Sequence, residues 1–283
     1  SMQFVKILIV YGEDTTVQLI CGEKVLKICT VYYGDRYTPD YVGKLYDSIR
    51  RNCSIPFQSI CISDNPNVEA DIILPYNHHS DIKKHWHKLK FFSPHFGYQD
   101  PGDDIIIMDI DQVITNNVDD LIGHPVQEKE LITYGIWWNK WWRDGEASVT
   151  IPRTALQTNG GFYKFKSGSL SYVWDDFIEN PKFWQMHYYN ERIVHFPYYG
   201  EQNYVNWRAW ENNIKIIPTP EEWIGKCSSD MDKNIKTNKL YFEEFGDFMY
   251  MDEVNPNIKV IHFTGLDNNI HNNRNGWIKD HWK

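Results

Sequence analysis

The chain has no CxxC pair, and its five cysteines, Cys21, Cys29, Cys53, Cys61 and Cys227, are odd in number. That argues against a structural zinc site or a disulfide framework and fits a reducing, cytoplasmic setting. A long apolar run is also missing: the longest near the N-terminus, Phe4 to Tyr11, is broken by Lys6. It is too short to span a bilayer and no small-residue cleavage site follows it, so no integral membrane segment is expected. Positive charge is in deficit. With 29 Lys and Arg against 38 Asp and Glu, the formal charge is −9, and no global basic field favours nucleic acid. An acidic protein that binds a phosphorylated ligand needs a metal or a few placed Lys and Arg to compensate locally. No internal repeat or low-complexity linker divides the sequence.

What is present is globular in composition. The 283 residues are 42% hydrophobic and 24% charged, enough for a substantial core, and 16% are aromatic. From Val25 the sequence VLKICTVYYGDRY reads as a buried strand ending in a glycine turn. A helix should follow, with Thr38 as N-cap, Pro39 at its first position and Arg50-Arg51 near its end. FQSICIS and DIILPY read as strands, Asp81 to His95 as a helix, and Ile105 to Met108 as a buried strand. Further on, ELITYGIWW, GGFYKFK, IKIIPTP and IKVIHFTG read as strands, and SLSYVWDDFIEN and GEQNYVNWRAW as helices. This alternation implies an α/β fold with a mostly parallel sheet and a ligand crevice at its carboxyl edge. Residues 3–10 and 17–21 alternate weakly about Gly12-Glu13-Asp14 and read as a β-hairpin. The expected organisation is an N-terminal hairpin extension over 1–26 and a single domain over 27–283.

The chemistry concentrates at strand ends. Asp109 and Asp111, in IIIMDIDQVI, follow an apolar strand with one residue between them. In extended backbone, residues two apart share a face, and two hard carboxylates on one face suit Mg2+ or Mn2+. The alternative is a strand simply ending in solvated acids. His262 ends the strand of IKVIHFTG, where Gly265 permits tight backbone passage, and completes a mixed nitrogen and oxygen donor set. Lys88, in HWHKLKFF, would counter a diphosphate or else lie on a solvated helical face. Asn159 stands beside Gly160 and Gly161, and Glu201 and Gln202 open a helix.

Taken in order, YYGDRY, KLKFF, IIIMDIDQVITNNVDDLI, TNGGFYKF, GEQNYVN and KVIHFTG resemble the glycogenin-like family of retaining glycosyltransferases with the GT-A fold. The resemblance runs from about Lys27 to Asn268. It implies a Rossmann-like mixed, mostly parallel sheet flanked by helices, and a hexose moved from a nucleotide-diphosphate sugar, a UDP-sugar by family expectation, to a glycan or other hydroxyl acceptor. It implies Mn2+ held by Asp109, Asp111 and His262, with Mg2+ as the alternative. Val31, Tyr33, Arg36, Tyr37, Lys88, Asp109, Ile110 and Gly265 would bind the nucleotide-sugar, Tyr37 by stacking on the base. Asn159, Glu201 and Gln202 would line the reacting sugar, with Gln202 near the anomeric carbon. The family's Lys-Pro-Trp after the His motif is replaced here by Leu266-Asp267-Asn268-Asn269, so Arg36, Lys88 or Arg274 would have to meet the diphosphate.

Two other groupings stand out. Trp137, Trp138, Trp141 and Trp142 are either packing or an acceptor-sugar platform. The histidines at 78, 79, 85, 87 and 95 lack the spacing of a helical metal pair and are assigned to surface or packing. Two rival functions remain: a sugar-binding, lectin-like protein on the same fold, and a haloacid-dehalogenase-type phosphatase with Asp109 as nucleophile and Asp111 as acid/base.

Overall fold

A computed structural model describes residues 25–134, 158–189, 200–228, 256–264, 270 and 278–283. The expected N-terminal hairpin, the four clustered tryptophans, Gly265 and Arg274 lie outside these residues.

The scaffold is a mixed α/β sheet. Its strands are β1 (Leu26–Val31), β2 (Phe57–Ser63), β3 (Ile72–Pro75), β4 (Asp104–Met108), β6 (Glu130–Thr133), β7 (Phe162–Lys166) and β8 (Lys215–Pro218), with β5 (Gln112–Ile114) placed elsewhere. Among the described residues these seven form one sheet in the order β3-β2-β1-β4-β7-β6-β8. β1 pairs in parallel with β2 and β4, and β2 with β3, while β7 runs antiparallel to both β4 and β6. β5 belongs to a second, three-stranded sheet with β9 (Ile224–Ser228) and β10 (Val260–Thr264), in the order β5-β10-β9.

β4 is central and buried on both faces. Ile106 and Met108 join one hydrophobic cluster with Ile28, Leu45, Tyr46 and Ile49, and Ile105 and Ile107 join another with Cys29, Trp86, Phe92 and Phe165. A strand covered on both sides has no polar alternation to keep, which is why its sequence is four aliphatic or Met residues in a row. Helix α1 (Asp40–Asn52) covers the first face with Tyr41, Val42, Leu45, Tyr46 and Ile49. On the second face lie α3 (Ser171–Glu179), α4 (Pro181–Tyr189) and α5 (Glu201–Glu211), with α2 (Asp119–Ile122) a short turn after β5. Cys29, Cys53 and Cys61 are free thiols. Among the described residues no helix is long and apolar enough to cross a membrane.

Three readings are corrected. Helix α1 begins at Asp40 rather than Pro39, and Thr38 gives no side-chain cap to the backbone; its hydroxyl bonds the Asp40 carboxylate instead. The 81–95 segment is not an α-helix but 3-10 backbone over Lys84–Phe92, entered through Lys84 in the left-handed region at φ 52°. The expected strand of IKVIHFTG, β10, does not extend the main sheet but joins β5 and β9 in a second one. Register between separate sheets is a tertiary property that strand patterning does not encode.

Candidate metal and sugar-nucleotide site

Asp109 and Asp111 sit where the chain passes from one sheet to the other. The Asp109 amide donates to the Gly161 carbonyl (3.2 Å), extending the β4–β7 ladder by one residue. The Asp111 carbonyl accepts from the Phe263 amide (2.9 Å), which ties it to β10. β10 runs antiparallel to β5 with His262 opposite Gln112, so His262 arrives beside the acids from 150 residues downstream. Ligand atoms of Asp109, Asp111 and His262 all lie within 4.8 Å of one another. Two carboxylates and an imidazole at that separation are a donor set that fits a divalent cation such as Mn2+.

A bonded frame fixes this cluster. The Gln112 side-chain amide donates to the Gly161 carbonyl (2.5 Å) and its oxygen accepts from the Tyr134 hydroxyl (2.5 Å). The Gly161 amide donates to Asn159 Oδ1 (2.8 Å). A Cβ on Gly161 would stand 2.8 Å from Asn159 Oδ1 and 3.1 Å from the His262 ring, so only glycine lets β7 start this close. The Gly160 amide donates to Gln202 Oε1 (3.1 Å). The Asn159 and Gln202 amides therefore both accept from backbone through their oxygens, which leaves NH2 groups as their remaining donors.

Beside the acids stands a second charged group. The Lys88 ammonium is buried and meets the Asp109 carboxylate, Glu201 Oε1 (3.2 Å) and the Gly160 carbonyl (2.8 Å). Three oxygens use all three of its N–H donors, so Lys88 braces two carboxylates rather than lying on a solvated helical face. His85 Nε2 lies 3.2 Å from the other Glu201 oxygen. In 3-10 backbone, residues three apart eclipse, which is why His85 and Lys88 converge on one carboxylate. Assignment of His85 to a packing role is thereby corrected. The sequence signal was the His85–Lys88 spacing rather than His85–His87. His87 does pack: its buried ring stacks on Tyr76 with centroids 4.0 Å apart.

Burial and mutual repulsion shape the charges. Burial, then the neighbouring Asp109 charge, pushes Asp111 up to about 7, against the pull of a Tyr37 hydrogen bond. Burial also raises Asp109, with Lys88 opposing it. Burial disfavours the charged forms of Lys88 and Glu201 but is outweighed: Asp109 and then Glu201 hold Lys88 above its ordinary value, and Lys88 and then His85 hold Glu201 below its own. Burial and Lys88 together lower His85, although Glu201 opposes them. The resting site thus holds an ionised Glu201–Lys88 pair beside two carboxylates whose shared charge a cation would relieve.

The remaining expected residues divide. The Tyr37 hydroxyl donates to Asp111 Oδ2 (2.8 Å), and its ring packs on Tyr41 (4.8 Å) beneath the exposed Arg36 guanidinium (4.9 Å). Tyr33 stacks on Tyr76 with centroids 6.0 Å apart. Val31 and Ile110 are buried in the two cores, which leaves their backbone rather than their side chains for a ligand.

No family model and no curated protein sequence matches this chain. Solved structures do. The galactosyltransferase LgtC, crystallised with donor and acceptor sugar analogues, superposes with a TM-score of 0.55 over 90% of this chain and 93% of its own, at 10% identity. The glycosyltransferase GlyE of Streptococcus pneumoniae superposes with a TM-score of 0.56 over 88% of this chain, at 14% identity, and its apo form with 0.52 at 12% identity. The matched region is 57% of the GlyE chain, little more than half. At such identities the likeness is one of fold: the sheet and its flanking helices are those of GT-A glycosyltransferases.

Proposed function

We propose that the chain is a metal-dependent glycosyltransferase that moves a hexose from a nucleotide-diphosphate sugar, UDP-linked by family expectation, to a hydroxyl acceptor with retention of configuration. The observation that carries this is the convergence of Asp109, Asp111 and His262 within 4.8 Å at the carboxyl end of the central strand of a GT-A sheet. These three residues would hold Mn2+, with Mg2+ as the alternative, and the bound ion would act as a Lewis acid on the charge that develops as the diphosphate departs.

The chain's own side chains account for the rest. Arg36, exposed beside Tyr37 and Asp111, would meet the diphosphate, since Lys88 is fully engaged. Tyr33 and Tyr37 would flank the base, and the Asn159 and Gln202 NH2 groups would donate to the reacting sugar. Glu201, held ionised by the buried Lys88, would face that sugar's hydroxyls without titrating near neutrality. Among the described residues no side chain at the site is an evident covalent nucleophile for the anomeric carbon. Retention would follow from front-face attack, with a phosphate oxygen of the departing diphosphate accepting the proton of the acceptor hydroxyl. The haloacid-dehalogenase reading, which needs Asp109 on the first strand of its domain, finds it after the fourth of the described strands.

Thermal unfolding with UDP-, GDP- and dTDP-sugars, each with and without Mn2+, tests the proposal. Stabilisation by one nucleotide class, and only with metal, is expected. Failure of every nucleotide to stabilise would favour the lectin-like alternative.

A further inference from the structure

A cavity of about 350 Å3 opens between the 3-10 segment and helix α4, with His85 in its wall. Its walls include Lys83, Lys84, His85, Trp86, Lys182 and Met186. His85 is the link to the metal site: the same ring that lines the cavity lies 3.2 Å from Glu201 Oε2, and Glu201 Oε1 lies 3.2 Å from Lys88. The volume falls in the range of small-ligand sites, about 300–1,000 Å3.

Two features define what the cavity would accept. Its lining is largely apolar, with the half-exposed Met186 and the Trp86 indole, whose ring is backed by Phe177 at 5.4 Å and 10° between planes. Among the described residues its lining carries three lysines, Lys83, Lys84 and Lys182, against one acid, Asp81, which pairs with Lys182 (3.1 Å), in a chain whose formal charge is −9. Such a local reversal of sign attracts anions that the rest of the surface repels. The walls are also pinned. Gln185 accepts from the Lys83 amide (2.8 Å) and donates to the carbonyls of Asp81 (2.8 Å) and Pro181 (2.8 Å), which fastens α4 to the segment entering the 3-10 turn. A bonded wall holds its shape before a ligand arrives, which lowers the entropic cost of binding.

We propose that this cavity is the acceptor site, and that it selects an acceptor carrying an anionic group beside an apolar or aromatic one. The inference deepens the glycosyltransferase reading and rests on it for the word acceptor. The binding itself requires neither donor nor metal.

The test uses two probes with the same aromatic aglycone, p-nitrophenyl β-glucuronide and p-nitrophenyl β-glucoside, which differ in the carboxylate. Calorimetric titration of the full chain in EDTA, without donor, should show the glucuronide binding at least tenfold more tightly. Lys84→Glu combined with Lys182→Glu should erase that preference, and both substitutions are at exposed positions where folding is checked by an unchanged unfolding temperature. Met186→Trp should weaken both probes by filling the cavity. Equal affinity for the two probes, no saturable binding of either, or a preference that survives the double charge reversal would overturn the proposal. Metal-dependent donor turnover without glucuronide preference would sink this inference alone. Glucuronide preference without any donor turnover would sink the glycosyltransferase reading and leave an anion-selective cavity.

Discussion

Tyr37 shows how one hydroxyl can tune a candidate metal ligand. Its hydrogen bond favours the ionised form of Asp111, which burial and Asp109 drive the other way. Tyr37→Phe should therefore raise the Asp111 pKa above about 7 and make protons stronger competitors for the carboxylate. Mn2+ affinity near neutrality should fall about fivefold to tenfold, by roughly 1 to 1.5 kcal/mol, with the loss shrinking as pH rises. Calorimetric Mn2+ titration across pH reads this directly. A second residue-scale test lies away from the site. Burial lowers His87 to about 4, so below its ordinary value near 6.5 the unfolded chain takes up a proton that the folded chain refuses. The stability this confers is complete above about pH 6.5 and is lost as pH falls toward 4, at most about 3 kcal/mol in all. Denaturant unfolding of His87→Gln should show a flatter acid limb than wild type. Residue identities of this kind were only partly legible. Asp109 and Asp111 announce themselves by spacing; His262, expected at a strand end, lies in the middle of β10, and nothing in YYGDRY says that the Tyr37 hydroxyl reaches an aspartate 74 residues away.

At the scale of elements, the glycines that open β7 and α5 set the spacing of the site. Gly161 brings β7 against Asn159 and His262, and Gly160 brings it against Glu201, at separations that a side chain would occupy. Gly161→Ala should push the His262 ring out of line and weaken Mn2+ binding roughly tenfold to a hundredfold while the chain still folds. Gly200, just before α5, has φ 105° and ψ −162°, a conformation essentially confined to glycine, and a Cβ there would stand 3.2 Å from His85 Nε2. Gly200→Ala should cost about 1 to 3 kcal/mol of stability in denaturant titrations, from the backbone alone. The sequence shows its elements where the apolar pattern is strong, as in the unbroken run of β4 and the one-sided apolar face of α1. It misleads at Asp81–His95, where a helical pattern is realised as 3-10 backbone. There the left-handed Lys84, held by its amide bond to the Tyr76 hydroxyl (2.8 Å), sets the entry, and neither residue signals that contact by type.

At the scale of the molecule, the two sheets of the described residues divide the labour. The large sheet supplies Asp109, Asn159 and the glycines, and the small one supplies His262 and holds Asp111. Strand alternation was enough to infer an α/β sheet with its site at the carboxyl edge. That β5 and β10 leave the main sheet was not legible, because partner choice depends on contacts more than a hundred residues apart. The site is built across that division, so its central claim is a property of the assembled fold. The most direct measurement is Mn2+-dependent release of UDP from UDP-glucose and UDP-galactose by the wild-type chain, Asp109→Ala and Asp111→Ala, with folding verified by unfolding temperature. The account predicts turnover that EDTA abolishes in the wild type and that falls at least a hundredfold in each variant, with the fold intact. Undiminished turnover in either aspartate variant would contradict it.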